Sequence, residues 1–230
     1  MTPAQESPPA NIAAAPPPWQ LSGSGYIVQV EMPEAVLEHG SFIQAGTRRI
    51  GRSRVATMMF VDYADSAVGP YHELLYIPGH LQIGPRRDLS ITRIYVSSWP
   101  SVVNGRANWG IPKDHCTFDV RYGEDGIDRV ALSAADGSRI AELELTAFGP
   151  SLPAPGHWVP KRFRTLSQLR DGKIFSYVPS ARGTMKFARV RNWQFDARYF
   201  PDLAQGKVLR AVRLPRFQMT FPIAEIQPAS

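Results

Sequence analysis

The chain has 230 residues, 43% of them hydrophobic, and its 26 lysines and arginines against 20 acids give a net charge of +6. That length suits one β-rich domain with a substantial core, and no run approaches the roughly eighteen apolar residues of a membrane-spanning helix. The positive charge favours anionic partners. The basic residues, however, are spread in small clusters such as Arg48-Arg49 and Arg86-Arg87, with no RNA-recognition signature, zinc-finger spacing or long basic helix. They read as a solvated surface, and no nucleic-acid or membrane partner is expected.

The opening MTPAQESPPANIAAAPPP has neither the basic start and apolar core of a secretory signal nor the arginine content of a transit peptide. Residues 1–17 read as a disordered Pro/Ala-rich arm, and residues 18–230 as one domain. Cys116 is the only cysteine, so no intrachain disulfide is available and the reducing cytoplasm is the expected compartment. SGYIVQVE, 24–31, has strand composition, and PEAVLEH, 33–39, reads as a short helix with proline at its start. SRVATMMFVDYA (53–64), PYHELLYIPG with its closing His80 (71–80) and LSITRIYVSSW (89–99) each read as one strand.

HCTFDVRY, GIDRVALS and SRIAELELTAF follow, with Glu124-Asp125-Gly126 and Asp136-Gly137 between them. Asp-Gly between strands is a strong hairpin signal, so these three runs predict an antiparallel meander. In the last run Ala141, Leu143, Leu145 and Ala147 share one face, opposite Glu142 and Glu144, which fits a sheet with one buried side. GPSLPAPGHWVPK, 149–161, holds four prolines and reads as a loop or edge crossing. Strands resume at 173–178 and 184–195. FPDLAQ reads as one helical turn, and VLRAVRLPRFQMTFPI as two strands broken by Pro215. About ten strands with little helix predict a mainly β, single-domain barrel or sandwich whose end strands close the sheet.

The chemistry narrows by elimination. No HExxH occurs, and His115-Cys116 are adjacent, so on a strand they face opposite ways; no metal is expected. SGSGY has a GxG without the third glycine, following helix or P-loop lysine of a nucleotide site. No GxSxG is present, and Cys116 reads as a buried small hydrophobe. Two residues remain. Lys113, in NGRANWGIPKDHC, follows Trp109, Ile111 and Pro112. A lysine with its ordinary pKa of about 10.4 is no nucleophile at pH 7, but an apolar pocket lowers that value. Local sequence by itself favours an exposed turn lysine, since most lysines are exposed. Glu73 stands among Tyr71, Leu74, Leu75 and Tyr76, where a carboxylate is costly unless paired, though alternation also allows it to face solvent.

Taken together, these segments resemble the acetoacetate decarboxylase superfamily, from about Pro18 to Ile226. PWQLSGSGYIVQV resembles the family's opening strand. VDYADSAVGPYHELLYIPG resembles the segment that carries an active-site glutamate, which falls on Glu73. NGRANWGIPKDH resembles the Gly-Arg…Pro-Lys segment whose lysine forms a Schiff base, which falls on Lys113. The spacing between the two also suits the family, and FPDLAQGKVLRAVRLP resembles its closing region. The resemblance implies a closed conical antiparallel β-barrel with few short helices, whose interior holds the lysine. It also implies a homo-oligomer, no cofactor and a small oxo-acid substrate. Lys113 and Glu73 would be catalytic. Arg106, matching the family's Gly-Arg arginine, would bind a substrate carboxylate or form a structural ion pair.

Three positions depart from the family pattern. Asp114 stands where the decarboxylase has a second lysine, SGSG lacks its N-terminal arginine, and a further carboxylate falls near Met58. The activity that the resemblance implies is nonetheless a cofactor-free Schiff-base lyase leading to decarboxylation. The alternatives are a Schiff-base aldolase-dehydratase acting on 2-oxo acids and a non-catalytic barrel in which Lys113 is a counter-charge.

Overall fold

A computed structural model describes residues 7–123, 125–155 and 160–229, which form sixteen strands and two α-helices. In chain order the first half comprises Trp19–Glu31 (β1), Glu34–His39 (α1), Thr47–Arg49 (β2), Val55–Asp65 (β3), Tyr71–Ile77 (β4), His80–Ile83 (β5), Arg86–Leu89 (β6), Arg93–Val96 (β7) and Trp99–Trp109 (α2). The second half comprises Lys113–His115 (β8), Thr117–Arg121 (β9), Ile127–Ser133 (β10), Arg139–Pro155 (β11), Leu166–Arg170 (β12), Lys173–Tyr177 (β13), Ser180–Phe195 (β14), Lys207–Phe221 (β15) and Glu225–Pro228 (β16).

Ten strands form one sheet in the order β8-β7-β4-β3-β1-β15-β14-β11-β10-β9. Its two edge strands, β8 and β9, are consecutive in the chain and separated by Cys116 alone, so the sheet curls almost into a closed barrel. A second sheet, β16-β13-β12-β6-β5-β2, packs outside it. Pairing is antiparallel except for β7 with β8 and β6 with β12, which run parallel. The predicted meander is present as β9-β10-β11, with Ala141, Leu143 and Leu145 buried on one face. Among the described residues no helix is long and apolar enough to cross a membrane.

Several elements differ from the sequence reading. LSITRIYVSSW is not one strand: β7 covers only its centre, and Trp99 begins α2, which composition alone had not marked. The helix is set by its ends. Ser98 caps it by accepting from the Ser101 amide, Pro100 stands in the first turn, and Gly110 closes it at φ 67°, a left-handed value that glycine adopts without strain. The proline-rich run after Phe148 continues β11, pairing Leu152 with Met185 and Ala154 with Gly183 after an irregularity in register; residues 156–159 of that run lie outside the described segment. Pro215 does not divide β15. It falls at register shifts against both β1 and β14, where no ladder hydrogen bond is required of it.

Nor is the N-terminal arm loose throughout. Ala15 donates its amide to Asn104 Oδ1 at 2.7 Å and accepts from Asn108 Nδ2 at 2.8 Å, and Ala13 accepts from Asn104 Nδ2 at 3.1 Å. Two asparagines on α2 thus supply the backbone partners that a Pro/Ala sequence cannot provide for itself. Residues 1–6 lie outside the described segment.

Strand alternation divides the core in two. One cluster, around Val28, Met58, Phe60, Leu74, Tyr76 and Leu143, fills the barrel interior. The other, around Trp19, Val61, Tyr71, Leu75, Ile94 and Trp109, fills the layer between the outer face of β1, β3 and β4, helix α2 and the second sheet. Trp109 anchors α2 in this layer. It is 1% exposed, meets Trp19 edge-to-face at 4.9 Å and donates its indole N–H to the Pro222 carbonyl at 2.7 Å. Burying one such large side chain stabilises the fold by about 1.5–3 kcal/mol or more.

Candidate active site

Period-two alternation on β4 places Tyr71, Glu73 and Leu75 on the face turned to the second core layer. Lys113 is in register with Ile94 of β7, which belongs to the same layer, so its side chain enters there too. The lysine therefore sits between the two sheets, not in the filled barrel interior that the resemblance implies. Lys113 Nζ donates to Glu73 Oε2 at 2.9 Å and to Ser101 Oγ at 2.9 Å, with the Tyr71 hydroxyl at 3.5 Å. Tyr63 reaches the other carboxylate oxygen at 3.4 Å. Lys113 and Glu73 are each 4% exposed. Two residues that each allowed a surface reading are thus a buried ion pair.

Burial is the largest single influence on the Lys113 amine and lowers its pKa. The Glu73 charge, with Tyr71 and the hydrogen bonds to both, acts the other way and leaves the amine raised above its ordinary value. Burial likewise pushes the Tyr71 hydroxyl up to about 12 against the lowering effect of Lys113, and raises Tyr63. Both phenols therefore remain neutral hydrogen-bond donors at pH 7.

The lysine stem is aligned by α2. A Cβ on Gly105 would come within 2.7 Å of Lys113 Cδ and 2.9 Å of Cε, so glycine is what lets the helix pass over the stem. Beside it, Arg106 donates Nε–H to the Lys113 carbonyl at 2.8 Å and Nη2–H to Asp114 Oδ1 at 2.8 Å. Arg93 binds the other Asp114 oxygen at 2.6 Å. The Gly-Arg pair thus has a physical meaning: clearance for the stem, and a clamp on its backbone. For Arg106 the structure shows the ion pair with Asp114, one of the two roles the sequence reading allowed it. Asp114 faces away from Lys113 between two guanidiniums, as alternation on β8 requires. Gly105→Ala is expected to displace the amine from Glu73 and Ser101 and to slow Lys113 modification by a small aldehyde about tenfold. Intact-mass kinetics check this, with thermal unfolding as the control for global damage.

The amine faces a cavity of about 200 Å³. Its walls are Trp19 and Leu21 from β1, Met59 and Val61 from β3, Leu75 and Ile77 from β4, and Trp109 and Ile111 around the helix end. Leu89, Leu166, Met219 and Phe221 close the far side. Its described charged side chains are Glu73, Lys113 and Arg164. This volume lies below the roughly 300–1,000 Å³ of drug-sized pockets, so the ligand it suits is small.

The other candidate positions resolve plainly. Cys116 is buried in the barrel core, and burial pushes its thiol up, which rules out an activated thiolate. In SGSG, a Cβ on Gly23 or Gly25 would strike the backbone of β3, so those glycines serve close strand packing. Met58 points into the barrel interior, and its neighbour Met59 lines the cavity. Among the described residues no group of three or more His, Cys, Asp or Glu side chains is placed to hold a metal ion. Ser101, Tyr63, Tyr71 and Arg164 were not singled out from sequence. Only Tyr71, two residues before Glu73, carried a signal, through strand alternation.

No protein-family model matches the chain, and no curated protein matches it. Solved structures do. The acetoacetate decarboxylase of Legionella pneumophila superposes with a TM-score of 0.67 at 11% identity, covering 92% of this chain and 88% of that one. An acetoacetate decarboxylase-like enzyme from Sphingomonas wittichii RW1 gives 0.68 at 12% identity, covering 96% and 97%. The enduracididine biosynthesis enzyme MppR, complexed with the condensation product of pyruvate and imidazole 4-carboxaldehyde, gives 0.66 at 14% identity, covering 99% of both chains. With its near-closed ten-stranded sheet and outer second sheet, the chain shares its fold with these acetoacetate decarboxylase and acetoacetate decarboxylase-like structures.

Proposed function

We propose that the protein is a cofactor-free Schiff-base lyase in which Lys113 forms an imine with a small oxo acid, leading to decarboxylation. The carrying observation is the meeting of Lys113 and Glu73, forty residues apart in sequence, at 2.9 Å in an apolar cavity. The resting pair is ammonium and carboxylate. Moving one proton along the existing hydrogen bond gives neutral amine and carboxylic acid. Filling the cavity with substrate expels water and favours that neutral pair, and a substrate carboxylate beside Glu73 favours it further by like-charge repulsion.

The amine nitrogen then attacks the ketone carbon. Glu73 returns its proton to the departing hydroxyl, and water leaves a protonated imine. With a carboxylate on the carbon next to the imine carbon, the C–C bond electrons flow to the iminium nitrogen. This releases CO2 and leaves an enamine. Protonation of the enamine carbon and addition of water return the ketone and the lysine. The apolar walls and the negative Glu73 disfavour the carboxylate more than the neutral CO2 it becomes, which assists this step.

A second reading, aldol condensation and dehydration, is supported by the MppR neighbour and its bound pyruvate condensation product. In that reading the imine formed with pyruvate loses a methyl proton to the Glu73 carboxylate, and the enamine carbon so formed attacks the aldehyde carbonyl. Incubation with acetoacetate, and separately with pyruvate plus an aldehyde, distinguishes the two. The expected result is CO2 release from the former. Enone absorbance from the latter, without CO2, would replace decarboxylation by condensation, and neither product from a panel of small oxo acids would overturn the enzyme reading.

A further inference from the structure

The proposed chemistry leaves one requirement unassigned. Once Glu73 has taken a proton, the Lys113 amine keeps two N–H groups and a lone pair, and it turns about its Cε–Nζ bond unless something holds it. Attack needs that lone pair aimed at the ketone carbon, and a misaimed nucleophile loses most of the advantage of being close. Glu73 fixes one direction on the nitrogen. A second fixed contact is needed.

Ser101 stands where that contact is needed. Its Oγ accepts from Lys113 Nζ at 2.9 Å, as short as the bond to Glu73. Ser101 is the third residue of α2, and its amide is tied to the capping Ser98 Oγ at 3.4 Å. Gly105, four residues on and therefore on the same helix face, is where the lysine stem passes. The helix thus seats the side chain at two points, the stem against Gly105 and the nitrogen against Ser101. Ser101 is 0% exposed, and the described cavity wall includes Glu73 and Tyr71 but not Ser101. It holds the amine from behind.

The polarity of the contact is also set. The Tyr71 hydroxyl is hydrogen-bonded to Ser101, an interaction that lowers its pKa, as donation to a phenol oxygen does. With its proton turned to Tyr71, Ser101 offers the amine lone pairs only, so it accepts from the nitrogen and does not occupy the nitrogen lone pair. Of the three N–H directions of the ammonium, two run to acceptors at 2.9 Å, and the third, toward Tyr71 on the cavity wall, is the longest at 3.5 Å. In the neutral amine, N–H groups kept on Ser101 and on the Glu73 carbonyl oxygen leave the lone pair in that third direction.

We infer that Ser101 is a catalytic residue of the Lys113 site, accepting an N–H from the neutral amine and so aiming its lone pair into the cavity. The same oxygen then receives the one N–H that remains in the protonated imine. This deepens the Schiff-base reading and rests on it for the reaction concerned. Ser101 touches the reacting nitrogen and no part of the substrate, so its effect falls on the rate of imine formation and not on the concentration of oxo acid required.

The test compares wild type, Ser101→Ala and Ser101→Thr in two reactions. The first is methylation of Lys113 by formaldehyde and borohydride at about pH 8, read by peptide mass spectrometry, which needs only an amine that attacks a carbonyl. Removing the serine oxygen destabilises the ammonium and opens space beside it, and each of these alone speeds methylation. Unfolding exposes the lysine and speeds it too. Only loss of aim slows it. Ser101→Ala is expected to react about tenfold more slowly, and Ser101→Thr, which keeps the hydroxyl, to recover most of the rate. If the added methyl lowers the urea midpoint of Ser101→Thr below that of Ser101→Ala, the alanine variant decides alone. A rate in Ser101→Ala equal to or above that of wild type overturns the inference. The second reaction is borohydride trapping of acetoacetate and of pyruvate. Here Ser101→Ala should lower the maximal rate of adduct formation about ten- to a hundredfold and leave the half-saturating concentration within about twofold. A changed half-saturating concentration with an unchanged maximal rate overturns the inference. No adduct from any oxo acid in wild type removes the Schiff-base reading, and the formaldehyde comparison still decides whether Ser101 aims the amine.

Discussion

Glu73→Gln is expected to make Lys113 more reactive toward a simple amine reagent while making the enzyme slower. In the wild-type pair, burial lowers the lysine and the Glu73 charge more than compensates, so the amine is raised above its ordinary value of 10.5. Removing that charge leaves burial as the dominant influence, and the pKa falls below 10.5. Each unit of that fall gives about ten times more neutral amine at pH 7. Reductive methylation of Lys113 should therefore accelerate at least about tenfold, with its inflection moved from above to below the free-lysine value. Turnover of the oxo acid should fall about 10²–10⁴-fold, because the amide neither takes the proton from the amine nor returns it to the departing hydroxyl. An unchanged pH profile for the modification would show that Glu73 does not control the amine.

Lys113→Met carries the other large effect, and it has two parts. Turnover is expected to fall by about 10⁴-fold or more, because among the described lining residues Lys113 carries the amine that can form an imine. Stability also falls. The Glu73 carboxylate is left buried without its cation, which costs about 3–5 kcal/mol by comparison with other broken buried pairs. Adding Glu73→Gln to Lys113→Met should recover most of that loss without recovering any turnover. Urea unfolding midpoints of the single and double variants measure the first part, and product formation the second. The linkage has a definite sign. Lys113 has a raised folded value, so its contribution is fully present below pH 10.5 and is lost as pH climbs through that raised value. Alkaline and not acid conditions are where the pair's lysine gives way.

How far these conclusions were visible in the sequence differs by residue. Lys113 and Glu73 were legible because each stands in a short motif and their separation adds information that neither motif holds. What no local reading could supply was burial, since a lysine after proline and a glutamate on an alternating strand both suit a surface. The meander was legible through Asp-Gly turns and clean alternation. Helix α2 was not, because SSW reads as the end of the preceding strand. Its Ser98 and Gly110 caps are punctuation that gains meaning only once the intervening residues are taken as helical. Strands β2, β5, β6 and β12 are three to five residues long and partly polar, and they exist because neighbours pair with them. Arg106 shows the same limit for function. An arginine beside the lysine segment suited substrate binding and an ion pair alike, and only the phase of α2 turns it toward Asp114.

The central claim is that the Lys113 amine bonds covalently to the carbonyl carbon of a small oxo acid. Borohydride reduction in the presence of acetoacetate, pyruvate and related oxo acids, followed by peptide mass spectrometry, tests it most directly. The account predicts a single reduced adduct on Lys113, absent from Lys113→Met and without counterpart on Lys161, Lys173, Lys186 or Lys207. Adducts spread across those other lysines, or none on Lys113 across the whole panel, would contradict it.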